Sequence, residues 1–362
     1  MNCRFRIATL CLLMGLAWVP GLSAQSSNVT VFAKGLNNPR GLKFGPGGNL
    51  YVAEGGKGGT RSTVGLCEQA AGLPNGPGPY TGGFTGRISK IDRNRVRTTV
   101  ANNLPSSQTN PEIGSLVSGV ADVAFIGNTL YALLGGAGCS HGLIHTSNSV
   151  VRVNSHGGWR GVANLSAFLK NHPIAHPEAD DFEPDGTWYS MIAVNGGLFA
   201  VEPNHGELDL IMTDGNIRRV ADISKTQGHI VPTAVAFKNG NFYVGNLHTF
   251  PIVDGSSKIL KISPAGNVTT LATGFTTILG LVFDSKGRLY ILENTTGNSG
   301  PTPGTGKVVR LETSGKVTEI ATGLSLPTGM TLGPDGHLYV SNQGFGFPAT
   351  GLGQVVKIKI SN

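Results

Sequence analysis

The stretch LKFGPGGNLYV at residues 42–52 recurs as LVFDSKGRLYI at residues 281–291 and as MTLGPDGHLYV at residues 330–340. Each copy joins two apolar segments through a turn that contains glycine. Weaker copies centre on the pairs Phe125/Tyr131, Ile192/Phe199 and Phe237/Tyr243. Short apolar segments joined in this way predict antiparallel strands with tight turns. The sequence therefore consists of six related units.

Each unit continues with a long connection and a second hairpin. One such hairpin is predicted over residues 259–271, and another over residues 308–320. Four antiparallel strands repeated radially are the pattern of a propeller blade. The sequence thus predicts an all-β fold, a six-bladed β-propeller with four-stranded antiparallel blades.

The last unit lacks its fourth strand, because the chain ends soon after the third strand at residues 354–360. Residues 29–36 align with residues 268–275 and 317–324, which are outer strands of their own units. We therefore predict that the N-terminal strand closes the last blade. An open ring would leave strand edges bare and prone to aggregation.

The N-terminus has the features of a secretory signal. Arg4 and Arg6 precede an apolar run at residues 7–19, and small residues follow up to Ala24. This pattern predicts a signal peptide at residues 1–24, cleavage after Ala24, and a single propeller domain over residues 25–362. The mature protein is expected to be secreted, to the periplasm or beyond the cell, without a transmembrane anchor.

Two cysteines, Cys67 and Cys139, follow the predicted signal. An even pair in an oxidising compartment predicts one disulfide. The net charge of the whole chain is +7, yet its basic residues are scattered, and Arg218-Arg219 is the longest basic run. Nucleic-acid binding needs a concentrated basic face, so no nucleic-acid partner is predicted. We expect the mature protein to be a monomer.

All long connections of the predicted blades fall at one end of the ring, which we call the loop end; the opposite, turn end has only short turns. Long loops on a rigid scaffold are where binding sites are normally built. Seven of the nine histidines lie at the loop end. This indicates either a metal or acid–base site, or only the polar composition of loops. The long connections are residues 54–86, 101–117, 134–148, 166–188, 245–257, 292–306 and 341–353.

Polar residues end the second strand of several blades or open the loop that follows. A six-fold ring directs these positions toward one axis, so we predict that ligand contacts lie there. Two interpretations stay open: the side chains bind a polar ligand or Ca²⁺, or they satisfy backbone groups at strand ends. The candidates are Glu54, His205, Asn246, His248, Glu293 and Asn342. Arg40 is a further candidate, which either binds an anion in the channel or braces the N-terminal strand.

The blades resemble those of NHL and gluconolactonase-type propellers. More specifically, the chain resembles the ScyD/ScyE family of exported bacterial propellers over roughly residues 29–360. The resemblance is carried by GLNNPRGL at residues 35–42 with LYVAE at residues 50–54, and by residues 180–193. It is also carried by VPTAVAF at residues 231–237 with YVGN at residues 243–246, and by PTGM at residues 327–330 with LYVSN at residues 338–342. That family implies the fold but no established reaction.

Lactonase-type relatives hold a divalent cation through Glu, Asn and Asp on their innermost strands. The positions that correspond by sequence are occupied by neither a carboxylate nor asparagine, so no metal is predicted. These positions are Arg40-Gly41, Ser118-Gly119, Ser190-Met191, Thr233-Ala234, Leu279-Gly280 and Thr328-Gly329.

Two functional hypotheses follow. The first is a non-catalytic propeller that binds a small molecule, a glycan or a protein at the loop end. The second is a metal-dependent hydrolase or lyase of the gluconolactonase-like type. The sequence contains no nucleophile elbow, P-loop, C-x-x-C or H-E-x-x-H motif, which favours the first hypothesis.

Overall fold

The computed structural model describes residues 24–72, 76–177, 182–345 and 350–360. The predicted signal peptide lies almost wholly outside them. Six antiparallel sheets form the blades, with the order β1-β25-β24-β23 in the last one. The prediction of a six-bladed propeller is confirmed.

The strands divide among the blades in chain order, except for β1 (Val29–Leu36). Blade one contains β2 (Pro39–Phe44), β3 (Leu50–Glu54), β4 (Thr81–Ile91) and β5 (Arg97–Gln108), extended by the short β6 (Val117–Ser118). Blade two contains β7 (Val120–Ile126), β8 (Thr129–Leu134), β9 (Ser149–Val153) and β10 (Trp159–Asn164). Blade three contains β11 (Ser190–Val194), β12 (Gly197–Glu202), β13 (Glu207–Ile211) and β14 (Ile217–Asp222).

Blade four contains β15 (Pro232–Lys238), β16 (Asn241–Asn246), β17 (Ser257–Ile262) and β18 (Val268–Phe275). Blade five contains β19 (Ile278–Phe283), β20 (Leu289–Glu293), β21 (Gly306–Leu311) and β22 (Val317–Leu324). Blade six contains β23 (Gly329–Leu332), β24 (Leu338–Asn342) and β25 (Gly353–Ile358) together with β1. The helices are α1 (Leu165–Asn171), α2 (Ser224–Gln227) and short 3-10 turns at Pro46–Gly48, Pro111–Ile113 and Cys139–His141. Neither α-helix of the described chain has the length and apolar character needed to cross a bilayer.

The N-terminal strand closes the ring as predicted. β1 pairs antiparallel with β25, from Val29 opposite Ile358 to Leu36 opposite Gly353. The segment before β1 also contacts blade five, where the Ser26 amide donates to the Thr322 carbonyl at 3.3 Å. The N-terminal segment therefore joins the last two blades.

The tyrosine of the repeated motif explains how neighbouring blades pack. Tyr51 lies edge-to-face against Phe125 of the next blade, with ring centroids 4.9 Å apart. Tyr243 and Phe283 repeat this geometry at 4.9 Å. Such pairs add about 0.5–1.5 kcal/mol beyond the area that they bury. A Cβ on Gly45 would lie 2.5 Å from the Phe125 ring, which explains the glycine that follows the apolar segment.

The predicted disulfide is present. Cys67 and Cys139 are bonded, with their Cα atoms 6.3 Å apart. The bond links the connection between β3 and β4 to the connection between β8 and β9. Two neighbouring blades are thereby tied together at the loop end.

Candidate ligand-binding cavity

A cavity of about 1260 Å³ opens at the loop end, and all six blades contribute to its wall. Most of the wall is apolar. Trp188, Val231 and Leu326 are buried in it, whereas Phe250 and Leu352 are 53% and 66% exposed. A deep apolar concavity with few polar groups is the usual form of a small-molecule site.

Arg40 lies on the floor of this cavity, at the start of the innermost strand of blade one. Its guanidinium is packed between the rings of Tyr189 and Phe345, 5.9 and 5.7 Å from their centroids. Nη2 of Arg40 donates to the Val117 carbonyl. The Tyr189 hydroxyl donates to the Thr328 carbonyl at 2.9 Å, and burial raises the pKa of Tyr189 to about 12. The floor is therefore cationic and aromatic.

The predicted residues at strand ends lie behind this wall. Glu54 is fully buried and accepts hydrogen bonds from the Asn37 amide at 2.7 Å and from Nε of Arg87 at 2.8 Å. The amide oxygen of Asn246 accepts from the Lys258 amide at 2.7 Å. Its amide nitrogen donates to the Ile230 carbonyl at 2.8 Å. Both side chains thus tie the second strand of the blade to the segment that enters the blade and to the third strand.

Glu293 and Asn342 repeat the arrangement. Glu293 accepts from the Thr276 amide at 2.5 Å, and Asn342 accepts from the Ser325 amide at 2.9 Å. Burial, only partly offset by nearby Lys307, raises the pKa of Glu293. Ligand contact by these strand-end residues stays a prediction. The contacts in the structure are those of the alternative interpretation, in which the side chains satisfy backbone groups.

The two predicted histidines differ in position. His205 is buried, and its Nε2 lies 3.0 Å from the Glu183 carbonyl. His248 lies on the cavity wall. Its Nδ1 accepts from the Thr249 amide at 2.9 Å, so the proton of the neutral ring is on Nε2. Burial, together with neighbouring Lys258, lowers the pKa of His248, which favours the neutral ring at pH 7.

Several other loop-end histidines have structural partners. His141 is fully buried between the hydroxyl of Ser107, 2.9 Å from Nδ1, and the Gly186 carbonyl, 3.0 Å from Nε2. The His172 ring stacks on Phe168 with centroids 4.4 Å apart. Within the described ranges, no group of three or more His, Cys, Asp or Glu side chains is placed to hold a metal ion. The strand-end oxygens instead accept hydrogen bonds from backbone amides.

The sequence-based alignment of the inner strand of blade two is wrong. Lys43 pairs with the motif tyrosine of blade one, and Ala124 pairs with that of blade two. This register makes Asp122, and not Gly119, the equivalent of Gly41. The error arose because the added strand β6 contains residues 117–118. The innermost strand of blade two therefore has a carboxylate, Asp122, at a position where the sequence-based alignment placed none.

Asp122 occupies the channel below the cavity floor. Its carboxylate accepts from the Met191 and Val123 amides, each at 2.8 Å. Burial raises its pKa to about 6, partly offset by Lys43. A Cβ on Gly41 would lie 1.9 Å from Oδ1 of Asp122, so the glycine makes room for this side chain. One carboxylate with backbone partners stabilises the channel and does not form a cation cage.

Part of the cavity wall has a strained backbone. Four non-glycine residues that line the cavity have left-handed backbone angles: Val231 (φ 56°), His248 (φ 71°), Leu326 (φ 43°) and Gln343 (φ 57°). Crossing hydrogen bonds hold them, such as the Leu247 amide to the Val231 carbonyl at 2.8 Å. Such conformations cost about 1–3 kcal/mol each and cluster at functional sites. The wall is thus held in a fixed shape.

A second unusual group is buried away from the cavity, on the third strand of blade three. Glu207 forms an ion pair with Arg219, whereas neither oxygen of Asp209 has a hydrogen-bond partner in the described chain. Burial raises the pKa of Glu207 to about 7, and burial together with Glu207 raises that of Asp209 well above its usual value. Sequence reasoning missed this pair, because the alternation of β13 resembles that of a half-exposed strand.

Comparison with solved structures identifies the fold. A putative oxidoreductase (glucose dehydrogenase) from Thermus thermophilus is 16% identical, with a TM-score of 0.57 over 92% of this chain and 99% of that one. A gluconolactonase from Xanthomonas campestris is 10% identical, with a TM-score of 0.55 over 91% and 89%. A luciferin-regenerating enzyme is 10% identical, with a TM-score of 0.54 over 93% and 96%.

These similarities concern the fold alone, that of a six-bladed β-propeller. At such identities they concern architecture and not activity. No protein-family model matches the sequence, and no curated protein matches it.

Proposed function

We propose that this chain is an exported binding protein that takes a small, largely apolar molecule into the loop-end cavity without transforming it. The observation that carries the proposal is the cavity itself. It measures about 1260 Å³, and all six blades form its wall. Pockets that enclose drug-sized ligands commonly measure about 300–1,000 Å³, so there is room for a sizeable ligand.

The chemistry of the wall favours an apolar small molecule over a glycan. Trp188 and Val231 present apolar surface inside, and Phe250 continues it to the rim. The resemblance to ScyD/ScyE propellers agrees with an exported protein, and so does the Cys67–Cys139 bond, because disulfides persist in oxidising compartments.

The test uses N-phenyl-1-naphthylamine, a neutral probe whose fluorescence rises in apolar surroundings. We expect saturable binding with one site per chain. The variant Leu116→Trp, at a half-buried residue of the wall, should narrow the cavity and weaken binding. The same change at Leu66, which is 68% exposed and away from the cavity, should have no effect. Absent or unsaturable binding would contradict the proposal.

The competing hypothesis, a metal-dependent hydrolase or lyase, draws on the gluconolactonase named among the structural neighbours. It predicts one tightly held divalent ion and lactone turnover. Metal analysis after exhaustive dialysis separates the two hypotheses. One retained equivalent of Ca²⁺ or Zn²⁺ that is lost in Asn246→Ala or His248→Ala would support the enzyme and overturn the binding proposal.

A further inference from the structure

We propose that Arg40 selects ligands that have a single anionic group attached to an apolar body. This inference rests on the proposed function, since it specifies what the same cavity binds. The anionic group would lie on the cavity floor, beside the guanidinium, and the apolar body would extend toward the rim.

Arg40 is a buried cation that forms no ion pair within the described residues. Arg40 is only 7% exposed. Its Nη2 donates to the Val117 carbonyl. Among the described residues, no carboxylate lies within ion-pair distance of it. A buried cation without a counter-ion is costly, so an anion brought by the ligand would stabilise it.

Two other arginines of the chain, Arg87 and Arg219, differ from Arg40 in having an ion-pair partner. Arg87 is paired with Glu54, and Arg219 is paired with Glu207. Arg87 and Arg219 are half-buried residues, whereas Arg40 is buried. The protein provides a carboxylate for these two more exposed cations and, in the described chain, none for Arg40.

The position of the Arg40 guanidinium suits contact with an anionic group of a ligand in the cavity. Arg40 is at the junction of cavity and channel, because Gly41 and Lys43 of the same strand line the channel. Its guanidinium is restricted by the rings of Tyr189 and Phe345, whose centroids lie 5.9 and 5.7 Å from Cζ, and by the bond from Nη2 to the Val117 carbonyl. A planar guanidinium held in one orientation suits the two oxygens of a carboxylate or sulfonate.

The composition of the wall favours a ligand with one negative charge. Glu183 lines the cavity, and its carboxylate accepts a hydrogen bond from the Tyr80 hydroxyl. Among the described lining residues Arg40 is the only Lys or Arg, so a second anionic group on the ligand would lose its hydration without gaining a cationic partner. Most of the other residues that line the cavity are apolar, including Leu326 and Leu352.

The experiment uses two probes with the same aromatic body. N-phenyl-1-naphthylamine is neutral, and 8-anilinonaphthalene-1-sulfonate adds one sulfonate. We expect the wild-type protein to bind the sulfonate more tightly. Arg40→Met should weaken sulfonate binding by about tenfold or more, because hydrogen bonds to charged groups are worth that much. Its affinity for the neutral probe should stay within about twofold.

Two further variants keep the test decisive. Arg40→Gln keeps a donor for the Val117 carbonyl and removes the charge, so it should reproduce the loss if Arg40→Met is unstable. Arg61→Met is the matched control, because Arg61 stacks on Phe84 at 5.2 Å away from the cavity and is exposed. Near-ultraviolet circular dichroism and the melting temperature verify that each variant is folded.

The outcomes distinguish this inference from the proposed function. Equal affinity for the two probes, unchanged in both Arg40 variants, would overturn the anion selection while leaving the cavity as a binding site. An equal loss of sulfonate binding in Arg61→Met would also overturn it, since the effect would then be one of general surface charge. Failure of both probes to bind would remove the proposed function and this inference together.

Discussion

The two ends of the propeller are built from the same strands but differ in how uniform their connections are. At the turn end, one hydrogen bond recurs: the Gly45 amide to the Asn49 carbonyl at 2.9 Å, the Asp284 amide to the Arg288 carbonyl at 3.1 Å, and the Gly333 amide to the His337 carbonyl at 2.8 Å. At the loop end, the connection after the second strand varies from residues 203–206 in blade three to residues 55–80 in blade one. The turn end therefore specifies the fold, and the loop end can vary to carry the site.

The loop end is nevertheless not loosely built. Side chains at the ends of the second strands, such as Glu54 and Asn246, bind backbone groups of the same blade. The Gly55 amide and the Leu247 amide make crossing bonds of 2.9 and 2.8 Å to the chain that enters the blade. The loop end therefore combines loops of variable length with hydrogen bonds that recur at the strand ends from which the loops start.

The largest effect is expected from opening the ring. Deleting residues 25–36 removes β1 and leaves the edge of β25 without its partner. Unpaired strand edges aggregate, so we expect aggregation or a clearly lower melting temperature. Size-exclusion chromatography and thermal unfolding measure this. A truncated protein that stays monomeric with an unchanged melting temperature would show that β1 is dispensable.

The next largest effect is expected from changing Glu54, which ends β3 at the loop end. Glu54→Ala leaves the side chain of Arg87 without its carboxylate, and breaking a buried pair costs about 3–5 kcal/mol. We expect a lower midpoint in urea with an unchanged slope. Glu312→Ala, which breaks the more exposed pair with Arg310, is the control and should change little. Equal stability of the two variants would contradict a stabilising role of Glu54 at the end of β3.

Removal of the disulfide should have a comparable or slightly smaller effect. Cys67 and Cys139 are 72 residues apart in sequence, for which loop-closure entropy gives about 4 kcal/mol. A Cys67→Ser/Cys139→Ser double variant should therefore melt at a lower temperature than the oxidised protein. The reduced wild-type protein is the control and should melt like the variant. A higher melting temperature of the variant would contradict a stabilising bond.

A smaller effect is expected from the buried acid pair. Burial raises the pKa of Asp209 well above its usual value and that of Glu207 to about 7. The folded protein keeps these protons at a pH where the unfolded chain has lost them. The pair therefore costs no stability below about pH 4, the usual carboxyl range. Stability is lost as the pH rises through the folded-state values.

Asp209→Asn should remove most of this loss. We expect the melting temperature to rise by about 2–4 °C at pH 8 and to change less at pH 5. Thermal unfolding across the pH range checks this, with Asp214→Asn as the control in an exposed turn of the same blade. A gain of the same size at both pH values would exclude titration of the pair as its cause.

The fold could be predicted because its signals are local and repeated. The motif around Tyr51 marks each blade, and the match of residues 29–36 with other outer strands predicted closure. The Cys67–Cys139 bond was predicted from the two cysteines that follow the predicted signal peptide. Each of these inferences needs only the order of elements along the chain.

The site could be predicted only in part, because sequence gives the position of a residue along a strand but not the direction of its side chain. Glu54 and Glu293 end their strands as expected, yet their carboxylates bind backbone amides. Arg40 and His248 do line the cavity. Asp122 was missed because an added strand shifted the apparent register, and Tyr189 because it ends a long insertion.

The central claim, that ligands bind at the loop end, is tested most directly by hydrogen exchange with and without N-phenyl-1-naphthylamine. We predict slower exchange in residues 113–119, 229–233 and 247–250, which line the cavity, and no change in the turns at residues 45–49 and 284–288. Protection confined to those turns, with the cavity segments unchanged, would contradict the account.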